Sequence, residues 1–362
     1  MNYAVIMAGG TGKRLWPLSR KKRPKQILKI LQGQTLLNQC CERLASMFDK
    51  RNMIILTNAD YADIVRETSP CVMNQNVIPE PAVRDTAGAI GLAASILTKY
   101  DSDATMAVVA ADHVIEPAEK FQAVMQDALT YVNDNPQCLV TFGIKPTFPN
   151  TQLGYFKCSS PSNYPNCKNK IFKVESFREK PDTATAEKYL ADGNYLWNSG
   201  MFVWKARTIL QKLDEFLPES TRPLQNIRAA WDGPNQNIAL KEWFLKLPKI
   251  SIDFAVMEKA ENVHALMLDC RWLDLGSFAA LADIIKSDEN KNVVVADRSE
   301  ILDCKNSFFI TEENKHLIAA IGLKDIIVAH TADATLICHA DQAHRLKELL
   351  ELIEKHEGEK FL

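Results

Sequence analysis

Residues 7–26 read Met-Ala-Gly-Gly-Thr-Gly-Lys-Arg-Leu-Trp-Pro-Leu-Ser-Arg-Lys-Lys-Arg-Pro-Lys-Gln and combine two features suited to phosphate chemistry. Gly9, Gly10 and Gly12 let the backbone approach a ligand closely, leaving amide N–H groups free to form an anion nest. Seven basic side chains follow by Lys25, while Pro17 and Pro24 keep the span from becoming one solvated helix. Neither familiar glycine fingerprint fits. A Walker A loop ending at Gly12-Lys13 would need glycine at Met7 and Ser or Thr at Arg14, and a dinucleotide fingerprint from Gly10 would need Gly or Ala at Leu15.

Charge placement sharpens the reading. The first 41 residues carry eight Lys or Arg and no acidic residue, whereas the remaining chain has 35 basic and 45 acidic residues. A locally positive segment on a chain of net charge −2 favours an anionic ligand held there. Carboxylates stand at two promising places: Asp112 at the end of an apolar run and Asp274 in an expected turn. Each is alternatively a cap or a turn former. The seven histidines and nine cysteines show no zinc-site spacing, so a metal here would be hard and oxygen-bound. The cysteines are odd in number and lack a C-x-x-C, which indicates reduced thiols.

These residues need a scaffold. Apolar runs at 3–7, 53–57, 105–111 and 138–144 read as buried strands, alternating with helical patterns at 35–45, 60–68, 86–97 and 117–132. That alternation predicts an α/β fold with a Rossmann-like mixed, mostly parallel sheet flanked by helices. The glycine loop then lies at a strand's C-terminal end, where open α/β sheets bind ligands. A Ser/Pro/Asn-rich hairpin tip at 159–169, an apolar strand at 196–204 interrupted by Asn-Ser-Gly, a helix at 254–260 and a helix at 278–285 follow. Beyond 287, short β-rich runs recur without helices until a terminal amphipathic helix, which places a domain boundary between 285 and 286. The expected organisation is a catalytic domain at 1–285 and a small β-rich domain at 286–362. No run approaches a membrane span and the basic N-terminus lacks a signal-peptide core, so a cytoplasmic protein is expected.

In order along the chain stand the basic loop with Pro24-Lys25-Gln26, Glu80-Pro81 with Arg84-Asp85-Thr86-Ala87, Ala111-Asp112-His113, Phe177-Arg178-Glu179-Lys180-Pro181, Trp197-Asn198-Ser199-Gly200, and Asp253 with Met257-Glu258-Lys259. Together they resemble the bacterial mannose-1-phosphate guanylyltransferases of the sugar nucleotidyltransferase group. The resemblance implies attack of mannose 1-phosphate on the α-phosphorus of GTP, giving GDP-mannose and pyrophosphate. Such chemistry rests on charge neutralisation and in-line positioning.

By the same resemblance, Ala8, Gly9, Gly10, Thr11, Gly12 and Lys13 line the nucleotide. Arg14 neutralises the leaving pyrophosphate, and Lys25 reaches the α-phosphate. Lys13 stands where the family has threonine and either adds a phosphate contact or points to solvent. Asp112 and Asp274 hold Mg²⁺, Glu80 faces guanine and Thr86 lies near the ribose. Gly154, Glu175, Lys180, Asn198 and Asp253 form the sugar-phosphate side, Asp253 being alternatively a helix cap. Strand parity puts Glu175 and Lys180 on opposite faces, so their sharing a site requires a bulge or turn before Lys180.

Gln152-Leu153 replaces the family's usual Gly-Tyr, which leaves another hexose or nucleoside triphosphate open. A catalytically silent GDP-mannose-binding regulator is the alternative of a different class. The C-terminal segment resembles the family's β-helix-like domain, implying a homodimer. No nucleic-acid or membrane partner is expected, nor the isomerase domain of longer members.

Overall fold

The computed structural model describes residues 1–10, 12–29 and 33–362. Among the described residues, the first three quarters of the chain form β1 (Asn2–Met7), β2 (Met53–Asn58), β3 (Val77–Glu80), β4 (Thr105–Ala110), β5 (His113–Glu116), β6 (Leu139–Ile144), β7 (Tyr155–Cys158), β8 (Ile171–Arg178), β9 (Tyr195–Lys205), β10 (Val263–Met267) and β11 (Arg271–Asp274). Among the described residues, nine of them form one mixed sheet of order β3-β2-β1-β4-β9-β6-β10-β8-β7. Pairing is parallel through β3-β2-β1-β4 and between β6 and β10, and antiparallel where β9, β8 and β7 join. Ala4, Val5 and Ile6 in β1 are fully buried, which is what a continuous apolar strand in a sheet covered on both faces requires.

Helices α1 (Leu36–Ala45), α2 (Ala62–Thr68), α3 (Asp85–Tyr100) and α4 (Ala118–Asp134) fall where periodicity puts them. Thr35 Oγ1 accepts from the Asn38 amide and caps the first turn of α1. The small residues of α3 allow close packing. A Cβ on Gly91 would stand 2.9 Å from Leu224 Cδ1 and 3.2 Å from Leu213 Cδ1.

Two local departures from the sequence expectation matter for function. Asn-Ser-Gly does not interrupt β9; instead its pairing with β6 shifts register between Thr141 and Gly143, and Gly200 takes φ +68°. That irregularity is a bulge, a device that re-aims side chains. The expected helix at 254–260 is a π-helical turn, Asp253–Met257, in which the Glu258 amide reaches back to the Asp253 carbonyl at 3.0 Å.

After β11 the chain builds β12 (Val293–Val295), β13 (Arg298–Leu302), β14 (Phe308–Thr311), β15 (Leu317–Ile321), β16 (Ile326–His330) and β17 (Thr335–His339), then a terminal helix, Leu346–Glu357. β12, β14 and β16 stack in parallel, as do β13 and β15, with β17 closing antiparallel. Successive parallel rungs without helices are the expected β-helix pattern, and Phe309, Ile318 and Cys304 fill its interior.

The chain divides into two compact units. One comprises Met1–Gly9, Cys40–Ala111 and Ile115–Trp272; the other comprises Gly10–Gln39, Asp112–Val114 and Leu273–Leu362. The basic loop therefore belongs with the C-terminal strands. Leu15, Trp16, Leu18 and Leu28 pack with Leu275, Phe278, Phe308, Leu336 and Leu350 in one buried cluster. No helix among the described residues is long and apolar enough to cross a membrane.

Much of the loop's charge has partners. Arg20 bonds the Phe361 carbonyl, Thr331 Oγ1 at 3.2 Å and Asp333 Oδ1 at 2.7 Å, while Lys21 meets Glu359 and Arg23 meets Glu312. Trp16 Nε1 donates to the same Phe361 carbonyl at 2.6 Å. Replacing Arg20 with Met should lower the urea midpoint without changing the slope, a loss of about 1–3 kcal/mol, because the partly buried Pro17 carbonyl and Thr331 hydroxyl lose their Arg20 donor while the Phe361 carbonyl keeps only Trp16. An unchanged midpoint would show that the loop docks without these bonds.

Candidate active site

The second unit contains a compact charged cluster. Lys25, only 8% exposed, places its ammonium directly on Asp112 Oδ2, 3.4 Å from the Leu275 carbonyl and 3.8 Å from Asp274 Oδ1. Local sequence explains the placement. Pro24 sets an extended entry to the short 3-10 turn Lys25–Ile27, and Gly12, at φ +67°, leaves room for the lysine stem. A Cβ on Gly12 would stand 2.7 Å from Lys25 Cβ, so both the backbone angle and the contact demand glycine.

β5 and β11 form a two-stranded ribbon, and the Leu275 amide donates to the Asp112 carbonyl at 3.1 Å. Asp274 therefore ends a strand rather than occupying a turn, and it sits beside Asp112. One ligand atom each of Asp112, His113 and Asp274 lies within 4.8 Å of the others. Burial would raise the Asp112 pKa, but the Lys25 ammonium, then His113, outweigh it and hold the carboxyl below its ordinary range. Asp274 Oδ1 is buried without a hydrogen-bond partner among the described residues. An orphaned carboxylate oxygen next to a second carboxylate is the donor chemistry a divalent ion takes. Arg14 lies over Gly276, whose added Cβ would come within 2.7 Å of a guanidinium nitrogen.

Glu80 and Gly9 belong to the first unit. Glu80 ends β3 with a carboxyl that is 9% exposed, and a Cβ on Gly9 would stand 3.0 Å from its Oε2. Burial pushes the Glu80 pKa up to about 7. Ala8 gives its amide to the Leu56 carbonyl at 2.7 Å, and Thr86 Oγ1 accepts from the Ile252 amide at 2.8 Å. Lys13 lines a small apolar pocket with Trp16, Arg20, Leu350 and Leu362. Thr11 lies outside the described residues.

A second polar assembly in the first unit unites most of the expected sugar-phosphate residues. Asn198, on the β9 bulge, donates from Nδ2 to Asp253 Oδ1 at 2.8 Å and accepts from Thr141 Oγ1 at 2.9 Å. Its backbone amide donates to the Gly154 carbonyl at 2.8 Å. Asp253 bonds Asn198 rather than capping a helix, and burial, then the Glu179 charge, pushes its pKa up to about 7. Lys180 Nζ lies 3.0 Å from Glu179 Oε1, and its φ of +44° turns the chain after β8. That turn, with the register shift where β8 pairs with β7, meets the requirement set by strand parity. Glu175 remains exposed on β8, lining an open cleft with Lys157, Ser159 and Asn194. Glu179 is buried against Gly154 and His113 stands beside Asp112 and Asp274; both lie inside the motifs Phe177–Pro181 and Ala111–His113.

With this geometry in hand, comparison with known proteins gives one answer. The family model described as Nucleotidyl transferase matches residues 3–291, and that of the MannoseP isomerase/GMP-like beta-helix domain matches 290–353. The mannose-1-phosphate guanylyltransferase of Klebsiella pneumoniae is 34% identical over 364 residues, covering all of this chain and 76% of the relative. The chain belongs to the mannose-1-phosphate guanylyltransferase family. An Escherichia coli K12 relative of the same name is 36% identical over 97% of this chain and 73% of its own length. A crystal structure described as mannose-1-phosphate geranyltransferase from Thermus thermophilus superposes with a TM-score of 0.86 at 31% identity, covering 98% of this chain and 99% of that one. The chain is thus an enzyme of the nucleotidyltransferase type, in a family that uses a nucleoside triphosphate, a sugar 1-phosphate and a divalent metal.

Glu80 provides a direct test of the site's electrostatics. A carboxyl whose pKa rises on folding binds more protons in the folded state, so its contribution to stability falls as pH climbs from about 4.5 through 7. Glu80→Gln should therefore melt higher than the parent protein at pH 8, with the gap closing toward pH 5. A variant that melts lower at pH 8 would contradict burial as the dominant influence.

Proposed function

We propose that this enzyme transfers GMP from GTP to α-D-mannose 1-phosphate, releasing pyrophosphate, by direct in-line attack of the sugar phosphate on the α-phosphorus. The observation that carries the mechanism is the Lys25–Asp112 pair beside Asp274 Oδ1, which makes no hydrogen bond among the described residues. Asp112 and Asp274, with His113 next to them, would hold Mg²⁺. When bound, that ion screens phosphate oxygens and so eases the meeting of two anions.

The remaining roles fall to the chain's own side chains. Lys25 neutralises the α-phosphate and Arg14 the leaving pyrophosphate, where a planar guanidinium grips two oxygens at once. The amides of the glycine loop support the triphosphate. Glu80, once ionised, accepts from guanine N1–H and the 2-amino group, a pair of donors that adenine, uracil and cytosine do not present side by side. Thr86 orders the backbone near the ribose. In the sugar assembly, Asn198 is held in one orientation by Asp253 and Thr141, leaving Glu179 and the Gly154 backbone to meet hydroxyls and Lys180 to meet the phosphate. Glu179 takes the role first expected of Glu175, because burial next to Gly154 favours it. We extend the reading to a cytoplasmic homodimer with catalytic residues 1–285 and a β-helix domain at 286–362.

The test is pyrophosphate release from a panel of four nucleoside triphosphates with mannose, glucose and galactose 1-phosphates, with Mg²⁺. GTP with mannose 1-phosphate should exceed every other pair, and Arg14→Gln should lower its kcat about 100- to 1,000-fold. Preference for another pair would overturn the substrate assignment. GDP-mannose binding without turnover would overturn the enzymatic one.

A further inference from the structure

We infer that Lys25 has a second role, which rests on the metal reading above: its ammonium and the divalent ion compete for the same carboxylates, so the ion displaces Lys25 from Asp112. Lys25 Nζ contacts Asp112 Oδ2 directly and lies 3.8 Å from Asp274 Oδ1. The donor atoms of Asp112, His113 and Asp274, all within 4.8 Å of one another, fit around one small cation. An ammonium in contact with Asp112 is then within about 4 Å of any dication bound there, where like charges in a partly buried site repel strongly. An ammonium seated on Asp112 Oδ2 therefore weakens binding of the ion at this pair.

The lysine is built to give way. Its Cβ is pinned by Gly12, but Nζ ends a flexible four-carbon stem whose Cε passes beside Gly10, where an added Cβ would be 3.9 Å away. Leaving Asp112, the ammonium swings along the glycine loop toward the phosphates it is proposed to neutralise. Arrival of the metal thus hands a positive charge to the substrate side. While Lys25 is in place, it also relieves repulsion between Asp112 and Asp274. Lys25 is a resident counter-ion as well as a phosphate ligand.

Mn²⁺ binding to the full chain, followed by electron paramagnetic resonance without nucleotide, tests this. Lys25→Met should bind Mn²⁺ about 10- to 100-fold more tightly than the parent, the equivalent of one charged hydrogen bond removed from competition. Equal or weaker binding by Lys25→Met, with Asp112→Asn and Asp274→Asn losing Mn²⁺, overturns the displacement while the metal reading stands. Unchanged Mn²⁺ affinity in both Asn variants overturns the metal reading itself, and with it this inference. Should Lys25→Met not fold, acylation of the parent by an N-hydroxysuccinimide ester decides, read by peptide mass spectrometry. Mn²⁺ should accelerate labelling of Lys25 relative to the buried, Asp103-paired Lys205, and labelling that is unchanged or slower overturns the proposal.

Discussion

The ion pair between Lys25 and Asp112 is the interaction on which the second unit turns. A lysine this buried loses hydration that only a close carboxylate can offset, and removing either partner leaves an uncompensated charge. Every neighbouring feature serves that contact. Gly12 admits the stem, Pro24 directs the turn, and the bond from the Leu275 amide to the Asp112 carbonyl joins the second carboxylate's loop to the first. Burial of Leu15, Trp16, Leu18, Leu28, Val114, Leu275 and Phe278 in one apolar cluster draws the segments 10–39, 112–114 and 273–362 into one compact body around the pair. The β-helix and the phosphate loop are one folding problem.

Charge elsewhere is arranged on the opposite principle. Glu80 and Asp253 are carboxyls pushed up by burial, Asp253 also by the Glu179 charge, whereas the Lys25 ammonium holds Asp112 down. In the first unit burial thus favours the neutral form of both acids. Asn198 is fixed through hydrogen bonds by Asp253 and Thr141. Preorganisation of this kind limits the reorganisation a bound sugar phosphate would demand.

Much of this was legible in the sequence. Strand–helix alternation, the glycine loop, Asp112 at a strand end and the β-rich C-terminal texture all follow from local pattern, because buried strands and tight turns restrict composition locally. What was hidden depends on contacts between distant residues. Arg20, Lys21 and Arg23 read as a diffuse positive potential, yet their partners at Asp333, Glu359 and Glu312 lie about three hundred residues away. Glu175 rests on the family resemblance, and strand parity requires only a bulge or turn before Lys180. The register shift where β8 pairs with β7, at Lys157 and Cys158, and the φ of +44° at Lys180 supply both, and neither is written in local spacing. The π-helical turn at Asp253 similarly gives no signature in hydrophobic spacing.

The central claim is that the sugar phosphate attacks the α-phosphorus directly while Lys25 and Arg14 neutralise charge around it, with no protein nucleophile. The most direct measurement uses GTP carrying sulfur in place of one α-phosphoryl oxygen, in a single known configuration, and determines the configuration at phosphorus in the GDP-mannose analogue formed. One in-line displacement predicts inversion. Retention would require two displacements through a covalent enzyme intermediate and would contradict the account.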